Sequence, residues 1–291
     1  MMTKSEIEQG LARLREQHGS WAYDIPLPYG LWTRGNQGLP HTRLKRIVQA
    51  AADLAGTPLA QCRVLDLGCL DGIFSIEFAM QGCSVVGIEI RESNIEKAEF
   101  ARKAIGLSNV SFVRDDVRNI SHAKYGDFDI IVCSGILYHL DAPGVFKVIE
   151  QMHDMANRLV VIDTHISLRP TLSVSYKGIE YHGSSYREHS PHESQAEKDK
   201  KLFASYDNAE SFWLTRPSLV NALANVGFTS VHECFVPAHI NFGRPGIESA
   251  DRCTFVAIKG DRMHLLTSPT VNDLVESWPE GALRYDYGIS A

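Results

Sequence analysis

The chain has 291 residues, of which 44% are apolar and 22% are charged, which excludes a disordered tail and predicts a globular protein with a large core. Its 29 basic and 35 acidic side chains give a net charge of -6, which provides no general attraction for nucleic acid or an anionic membrane. The 6 cysteines form no Cys-x-x-Cys pair, and no stretch reads as a signal peptide or a membrane span, so we expect a cytoplasmic protein.

Helices and a parallel sheet are predicted in chain order. Residues 3–18 and 41–56 have helical spacing and flank residues 21–40, a loop rich in proline, glycine and aromatic side chains. From Cys62 onwards, short apolar runs alternate with amphipathic stretches, which is typical of a parallel sheet covered by helices. The runs comprise residues 63–67, 84–89, 110–113, 128–134 and 159–163.

Two helices carry start signals. Ser93 and Glu96 predict a capping box after the second run, and Asp141 predicts a helix cap after the fourth. A final helix over residues 215–226 is expected to end at Gly227 and to precede an antiparallel pair of strands.

An insertion interrupts this alternation at residues 165–212. It is rich in tyrosine, histidine, serine and glutamate, and we interpret it as a lid over a polar acceptor. The alternative is an exposed, mobile loop. On this interpretation the chain divides into an N-terminal cap (1–61), a domain over 62–260 that carries the insertion, and a C-terminal extension (261–291).

The stretch VLDLGCLDG, residues 64–72, runs from a buried strand into a helix and predicts a nucleotide-type site. Gly68 and Gly72 allow a sharp turn and a close approach of the backbone to a ligand. Leu70 stands where a dinucleotide-binding loop has its second glycine, so a pyrophosphate is disfavoured.

Carboxylates mark the ends of three successive strands. Asp66 can meet a cationic or amine group, Glu89 a ribose diol, and Asp116 with Val117 an adenine ring. Three such strand ends predict a nucleoside site rather than a structural turn.

These motifs resemble the class I S-adenosylmethionine-dependent methyltransferases over residues 62–164. The resemblance implies an α/β, Rossmann-like fold with a seven-stranded, mostly parallel sheet, an antiparallel last strand and helices on both faces. It also implies S-adenosyl-L-methionine as the cofactor and S-adenosyl-L-homocysteine as the product. The cofactor-binding residues that it implies are Asp66, Gly68, Leu70, Gly72, Glu89, Asp116, Val117 and Ser134.

A finer resemblance links the chain to the tRNA wobble-uridine carboxymethyltransferase family and its small-molecule methyltransferase relatives. It rests on residues 24–35, 135–143, 212–228 and 251–260. In that family a tyrosine and an arginine face the cofactor's carboxylate, which implies the same role for Tyr138 and Arg252. The family's basic upstream segment has no match here and the chain is acidic, so a small organic acceptor is favoured over tRNA.

Candidate catalytic residues follow the fourth and fifth strands. His139 and His165 are candidate general bases, which an oxygen acceptor needs and a thioether or carboxylate does not; the alternative is that both are packing residues. Asp163 and His165 lack a third ligand, so no metal is expected. The candidate substrate contacts are Trp32, Arg34, Tyr181, His182, Tyr186 and Trp213.

The sequence therefore predicts a methyltransferase of a small organic acceptor, with O-methylation favoured over S- or N-methylation. The alternatives are tRNA modification, a non-catalytic cofactor-binding regulatory module and, least favoured, an NAD-linked oxidoreductase. The oligomeric state stays open.

Overall fold

A computed structural model describes residues 2–35, 42–235 and 251–261. The helices are α1 (Lys4–His18), α2 (Thr42–Leu54), α3 (Ile73–Met80), α4 (Glu92–Ile105), α5 (His122–Tyr125), α6 (Ala142–Met155), α7 (Gln195–Asp199) and α8 (Arg216–Val226). The strands are β1 (Arg63–Leu67), β2 (Ser84–Glu89), β3 (Val110–Arg114), β4 (Phe128–Ser134), β5 (Ala156–His165), β6 (Leu172–Tyr176), β7 (Ile179–Arg187), β8 (Glu210–Leu214), β9 (Ser230–Cys234) and β10 (Arg252–Ile258).

A seven-stranded sheet has the order β3-β2-β1-β4-β5-β10-β9. β1 pairs in parallel with β2 and β4, and β2 with β3, whereas β10 is antiparallel to both β5 and β9. The predicted fold, a mostly parallel sheet with an antiparallel last strand, is confirmed. Because β1 is hydrogen-bonded on both edges and covered on both faces, its residues from Val64 to Leu67 are all buried.

The chain forms two compact units. The first contains the described residues of Met1–Ile120 and Asp127–Val132, and the second contains those of Ser121–Gly126 and Cys133–Ala291. The core of the first unit includes Leu65, Phe78 and Ile88, which are inaccessible to water. The core of the second includes Val161 of β5 and Phe255 of β10.

The N-terminal segment is built into the first unit. The Trp21 ring packs against Phe100 of α4, with ring centroids 6.3 Å apart. The buried ammonium of Lys97 donates to the carbonyls of His18 (3.0 Å) and Ser20 (2.9 Å), at the end of α1. The bond to His18 satisfies a carbonyl that the end of a helix leaves without an intrahelical partner.

One predicted helix cap is confirmed and one is wrong. The Asp141 carboxylate accepts the Gly144 amide and caps α6, as predicted. α4 instead begins at Glu92, with Arg91 before it and no side-chain cap, so Ser93 lies inside the first turn and forms no capping box. The Glu96 carboxylate lies 2.8 Å from His18 Nε2.

The insertion is folded and is not the loop that its composition suggested. β6, β7 and β8 form a three-stranded antiparallel sheet within the second unit. Lys177 (φ +51°) and Gly178 (φ +81°) make the two-residue turn between β6 and β7, and both have the left-handed backbone that such a hairpin requires. Closure of this sheet over an acceptor stays a prediction.

The C-terminal features are partly described. α8 ends at Gly227, whose φ of +118° confirms the predicted stop, and β9 and β10 form the predicted antiparallel pair. The proposed extension over 261–291 lies outside the described residues apart from Asp261, as do residues 36–40 of the first loop. In the described ranges, no helix combines the length and apolarity needed to cross a membrane.

Candidate functional site

The loop between β1 and α3 has an unusual backbone. Gly68, Leu70 and Gly72 all have positive φ angles, of +63°, +50° and +89°. The Cys69 amide donates to the Ile88 carbonyl (3.0 Å), which folds the loop against β2. A leucine in this conformation costs about 1 kcal/mol relative to its usual backbone, so the loop holds Leu70 under strain.

Two carboxylates are buried beneath this loop. Asp66 Oδ2 accepts the Ser75 hydroxyl at 2.6 Å, and Glu89 accepts the amides of Leu70 (3.1 Å) and Arg91 (2.8 Å). Burial raises the pKa of Asp66 to about 7, although the bond from Ser75 opposes the shift, and burial also raises the pKa of Glu89. A buried carboxylate has up to four acceptor positions, so Glu89 retains capacity for further donors, such as a diol.

Gly72 is required for packing as well as for its turn. A Cβ built at Gly72 would lie 2.8 Å from Phe112 Cζ and 3.0 Å from the Ala98 Cβ, closer than real side chains approach. The glycine therefore lets the start of α3 lie directly on β3 and α4.

Asp71 is a buried residue that sequence reasoning overlooked. Its Oδ2 accepts the Tyr23 amide at 2.9 Å, which ties the segment 21–35 to the loop that contains Leu70. Burial raises the pKa of Asp71 to about 7, against the lowering effect of the backbone bond from Tyr23. No local pattern reveals this contact because the partners are far apart in sequence.

Two candidate substrate contacts, Trp32 and Arg34, lie in this segment. Trp32 forms an isolated antiparallel bridge with Pro26. Arg34 is exposed; its amide donates to Asp24 (2.8 Å) and its guanidinium to the Ala22 carbonyl (3.3 Å). The structure thus orders both residues, and their role toward a substrate stays a prediction.

Asp116 follows β3, as predicted, but it already has partners. Its carboxylate caps the turn Val117–Asn119 through the Arg118 amide (2.8 Å) and binds the Arg118 Nε and Nη2 at 2.9 and 2.5 Å. Val117 is buried. An adenine amino group would share this carboxylate with Arg118.

In the second unit, β4 ends at Ser134, followed by a left-handed Gly135. Ser134 Oγ is buried and has no hydrogen-bond partner among the described residues. A Cβ built at Gly135 (φ +86°) would lie 3.5 Å from Arg252 Nη2 and 3.9 Å from the Tyr138 hydroxyl. The glycine therefore leaves space next to both groups. An unpartnered buried hydroxyl, with a guanidinium close to the glycine that follows it, suits a polar, anionic part of a ligand.

The structure brings Tyr138 and Arg252 together. The Arg252 guanidinium lies 4.9 Å from the centre of the Tyr138 ring, and its Nε is 2.6 Å from Asp163 Oδ1. Thr254 donates to the other oxygen of Asp163 at 2.6 Å. Burial alone would lower the pKa of Arg252, but the charge of Asp163 raises it above its usual value.

Asp163 Oδ1 therefore serves the ion pair with Arg252, and Oδ2 accepts the hydrogen bond from Thr254. No group of three or more possible metal ligands occurs among residues 2–35, 42–235 and 251–261.

His139 has a buried carboxylate partner. Its Nδ1 lies 2.8 Å from Glu188 Oε1, and the two side chains are 9% and 1% exposed. Glu188 also accepts the Ser205 amide (3.0 Å) and the Ser211 hydroxyl (2.9 Å). Burial alone would raise the pKa of Glu188, but the bonds from His139 and these donors hold it below its usual value.

Aromatic rings stack beside this pair. Trp213 lies between His165 and Tyr186, parallel to both within 18°, at centroid distances of 4.9 and 4.7 Å. Tyr138 meets the edge of this stack, 4.7 Å from His165. His165 Nδ1 is 3.0 Å from Asp251 Oδ1. Four of the predicted site residues thus form one cluster.

Two predicted contacts lie elsewhere in the second unit. Tyr181 is buried against Phe146 of α6, with centroids 4.6 Å apart, and its hydroxyl accepts Asn225 Nδ2 at 3.1 Å. The His182 amide donates to Ser218 Oγ at 2.7 Å. These bonds join β7 to the helices, and the structure does not bring Tyr181 into the aromatic stack.

A family model described as a methyltransferase domain matches residues 59–205, just over half of the chain. The ubiquinone biosynthesis O-methyltransferase of Acinetobacter baylyi (strain ATCC 33305 / BD413 / ADP1) is 29% identical over 101 residues, covering 35% of this chain and 40% of that protein. Its namesake from Hahella chejuensis (strain KCTC 2396) is 35% identical over 81 residues, covering 28% and 34%. The chain thus spans at most about two fifths of these curated relatives.

Among solved structures, the N-terminal domain of EvdMO1, crystallised in the presence of SAH and D-fucose, has a TM-score of 0.65. It is 24% identical, and the match covers 90% of this chain and 98% of that chain. At this identity the likeness establishes the fold.

Proposed function

The chain belongs to the methyltransferase-domain family, and on that premise we propose that it transfers the methyl group of S-adenosyl-L-methionine to a hydroxyl of a small organic acceptor. The observation that carries the cofactor assignment is the pair of buried carboxylates, Asp66 and Glu89, under a strained loop at the ends of β1 and β2. Such carboxylates suit a ligand that brings a positive charge and a diol, both of which this cofactor has.

We assign the nucleoside part to the first unit. Glu89 would accept the ribose hydroxyls, Asp116 the adenine amino group, and the Val117 amide the ring edge. The remaining assigned positions are Asp66, Gly68, Leu70 and Gly72, which shape the loop.

In the second unit we assign the amino-acid part of the cofactor to Ser134, Tyr138 and Arg252. The unpartnered Ser134 hydroxyl and the guanidinium next to Gly135 support this assignment. Arg252 is held by Asp163, so it would meet a carboxylate without reorganising, which favours binding.

The bound cofactor supplies an electrophilic methyl group. The residues of the chain would hold the acceptor oxygen in line, exclude water and remove its proton. His139 and His165 are the candidate bases, and Trp213 with Tyr186 offers a ring surface against which an acceptor can lie. The relatives are named O-methyltransferases, which supports oxygen over sulfur or nitrogen.

Calorimetry with S-adenosylhomocysteine tests the cofactor assignment. Glu89→Gln and Asp66→Asn should each weaken binding about tenfold or more, since a hydrogen bond to a charged group contributes about 1.5–3 kcal/mol. Glu92→Gln is the matched control, because Glu92 is an exposed carboxylate close by that pairs with Arg114. Unchanged affinity in both site variants would contradict the placement.

Methyl transfer itself is tested with isotopically labelled S-adenosylmethionine and a panel of phenols, sugars, thiols and amines, read by mass spectrometry. D-fucose belongs in the panel because EvdMO1 was crystallised in its presence. A labelled hydroxyl compound supports the proposal. Cofactor binding with no transfer to any acceptor would favour the non-catalytic alternative.

A tRNA acceptor is the second candidate, favoured by the contact between Tyr138 and Arg252 that the finer family resemblance anticipates. It requires tRNA binding that weakens steeply with salt. Retention of tRNA at low salt, lost at high salt, would support it over the small acceptor.

A further inference from the structure

Resting on the proposed hydroxyl methylation, we propose that Glu188 is a positioning residue for His139. It holds the imidazole with its proton on Nδ1, so that Nε2 is the atom that accepts the proton of the acceptor hydroxyl. The insertion would thereby contribute to the chemistry, because Glu188 follows β7.

The hydrogen-bond partners of Glu188 indicate its ionisation state. Two donors reach its oxygens, the Ser211 hydroxyl on Oε1 and the Ser205 amide on Oε2, and His139 Nδ1 lies 2.8 Å from Oε1. An ionised carboxylate is an acceptor only, and a backbone amide is a donor only. The arrangement therefore favours the carboxylate form, in agreement with the lowered pKa of Glu188.

The tautomer of His139 follows from the charge of Glu188. An imidazole nitrogen that faces an ionised carboxylate at 2.8 Å carries the proton, since two acceptors at this distance would repel. In the neutral ring the other nitrogen, Nε2, is then the basic one. His139 Nε2 makes no hydrogen bond to any residue in the described part of the chain.

Further residues of the insertion hold Glu188 in place. Ser205, whose amide binds Glu188, has its carbonyl 2.8 Å from Nε2 of the buried His189. His189 Nδ1 in turn lies 3.4 Å from Glu193. Glu188 is thus held in place by Ser205, His189 and Glu193 of the same insertion. Such supporting contacts keep a catalytic base in one orientation.

The structural alternative is a buried pair that only stabilises the fold. His139 also packs against the Tyr138 ring, 4.2 Å away, so it has a packing role in either case. The two readings differ in one respect: a purely structural pair sets stability, whereas a positioned base also sets turnover with a protonated acceptor.

The chemical step defines the acceptor class. The acceptor oxygen forms a bond to the methyl carbon, the carbon–sulfur bond breaks with its electron pair going to sulfur, and the hydroxyl proton passes to His139 Nε2. The resulting imidazolium later releases its proton to water. Such a base is needed for an alcohol, sugar or phenol hydroxyl, and is not needed for a carboxylate or thioether acceptor.

The primary test is the tautomer itself, measured without cofactor. Long-range ¹H–¹⁵N correlation spectra of ¹⁵N-histidine-labelled protein distinguish Nδ1–H from Nε2–H, and His139→Gln identifies the resonances of His139. We expect Nδ1–H in the parent protein and loss of this preference in Glu188→Gln. A proton on Nε2 of neutral His139 in the parent protein would overturn the proposal.

The kinetic test uses the hydroxyl acceptor found in the transfer assay. His139→Gln should lower kcat about 100-fold or more, and Glu188→Gln should lower kcat about tenfold, both with little change in acceptor KM or S-adenosylhomocysteine affinity. Glu180→Gln is the matched control: it removes an exposed carboxylate of β7, the strand that precedes Glu188, and should leave kcat unchanged. Equal losses in Glu188→Gln and Glu180→Gln would indicate a structural role and contradict the proposal.

A milder variant covers the case in which Glu188→Gln does not fold. Ser211→Ala removes one donor from the oxygen that binds His139, and should lower kcat severalfold while the folded state persists. An unchanged kcat there would count against the proposal. If no acceptor is methylated at all, the proposed function fails, whereas the tautomer measurement still decides the state of His139.

Discussion

The Arg252 guanidinium and the Asp163 carboxylate form an ion pair that is almost inaccessible to water, with side chains 3% and 0% exposed. The two residues lie on the paired strands β10 and β5, and Thr254 completes the hydrogen bonding of Asp163. Removing one partner leaves the other as an unpaired buried charge, which is far more costly than never having had the pair.

We therefore expect Asp163→Asn to lower the free energy of unfolding by about 3 kcal/mol, measured by urea titration. The double variant Asp163→Asn, Arg252→Met should be more stable than Asp163→Asn alone, because it leaves no uncompensated guanidinium. A double variant that is less stable than either single variant would contradict this account.

A second prediction concerns crowding at Gly72. Gly72 and Gly106 have similar backbone angles, φ +89° and +86°, but a Cβ meets Phe112 and Ala98 at Gly72 and nothing within 4 Å at Gly106. Gly106→Ala should cost about 1 kcal/mol of stability from backbone strain alone. Gly72→Ala should cost about 1–3 kcal/mol more because of overpacking. If both variants lose the same free energy of unfolding in urea titration, the contacts of the new Cβ at Gly72 relax without cost and the prediction is wrong.

A third prediction concerns the pH dependence of stability. Burial raises the pKa of Asp66 to about 7, above the value of about 4 for an aspartate in an unfolded chain. Between these values the folded protein binds a proton that the unfolded chain lacks, so Asp66 favours folding most below pH 4 and loses this effect as the pH rises through 7. The free energy of unfolding should fall from pH 5 to pH 7.5, and less steeply in Asp66→Asn.

The matched control for this measurement is Asp53→Asn, which changes an exposed aspartate of α2 and should keep the parent slope. A slope in Asp66→Asn that equals the parent slope would remove Asp66 as a cause.

A fourth prediction concerns the aromatic stack. Trp213→Leu removes the central ring between His165 and Tyr186 and should raise the acceptor KM about tenfold, since each aromatic contact contributes about 0.5–1.5 kcal/mol. S-adenosylhomocysteine affinity, measured by calorimetry, should stay within about twofold. Phe203→Leu changes an aromatic side chain that is 66% exposed and serves as the control. An unaltered KM in Trp213→Leu would exclude the stack from acceptor binding.

The sequence predicted the sheet because its strands are central and apolar. β1, β2 and β4 have the bounds that their apolar runs predicted, and the caps at Asp141 and Gly227 depend on local chemistry that a sequence displays. The error at Ser93 has the same local origin: the helix begins two residues earlier than a cap at Ser93 predicts, which places the serine inside it.

The folded insertion was harder to recognise because its strands are short and half-exposed. The turn at Lys177 and Gly178 was nevertheless a readable hairpin signal between two β-prone runs. The hydrogen-bond partners of the candidate site residues could not be predicted from the sequence. Glu188 for His139, Asp163 for Arg252 and Tyr23 for Asp71 are all distant in sequence, and only the tertiary structure pairs them.

The bond between Tyr23 and Asp71 shows that the part of the chain that packs together extends beyond the part that matches the family model. The match to the family model begins at residue 59. The segment before it nevertheless supplies the hydrogen-bond partners of the Asp71 carboxylate and the Lys97 ammonium, and it covers both groups. A fragment cut at the homology boundary would expose both groups and uncover Phe100. The smallest fragment that keeps these bonds in the first unit therefore begins well before the match to the family model.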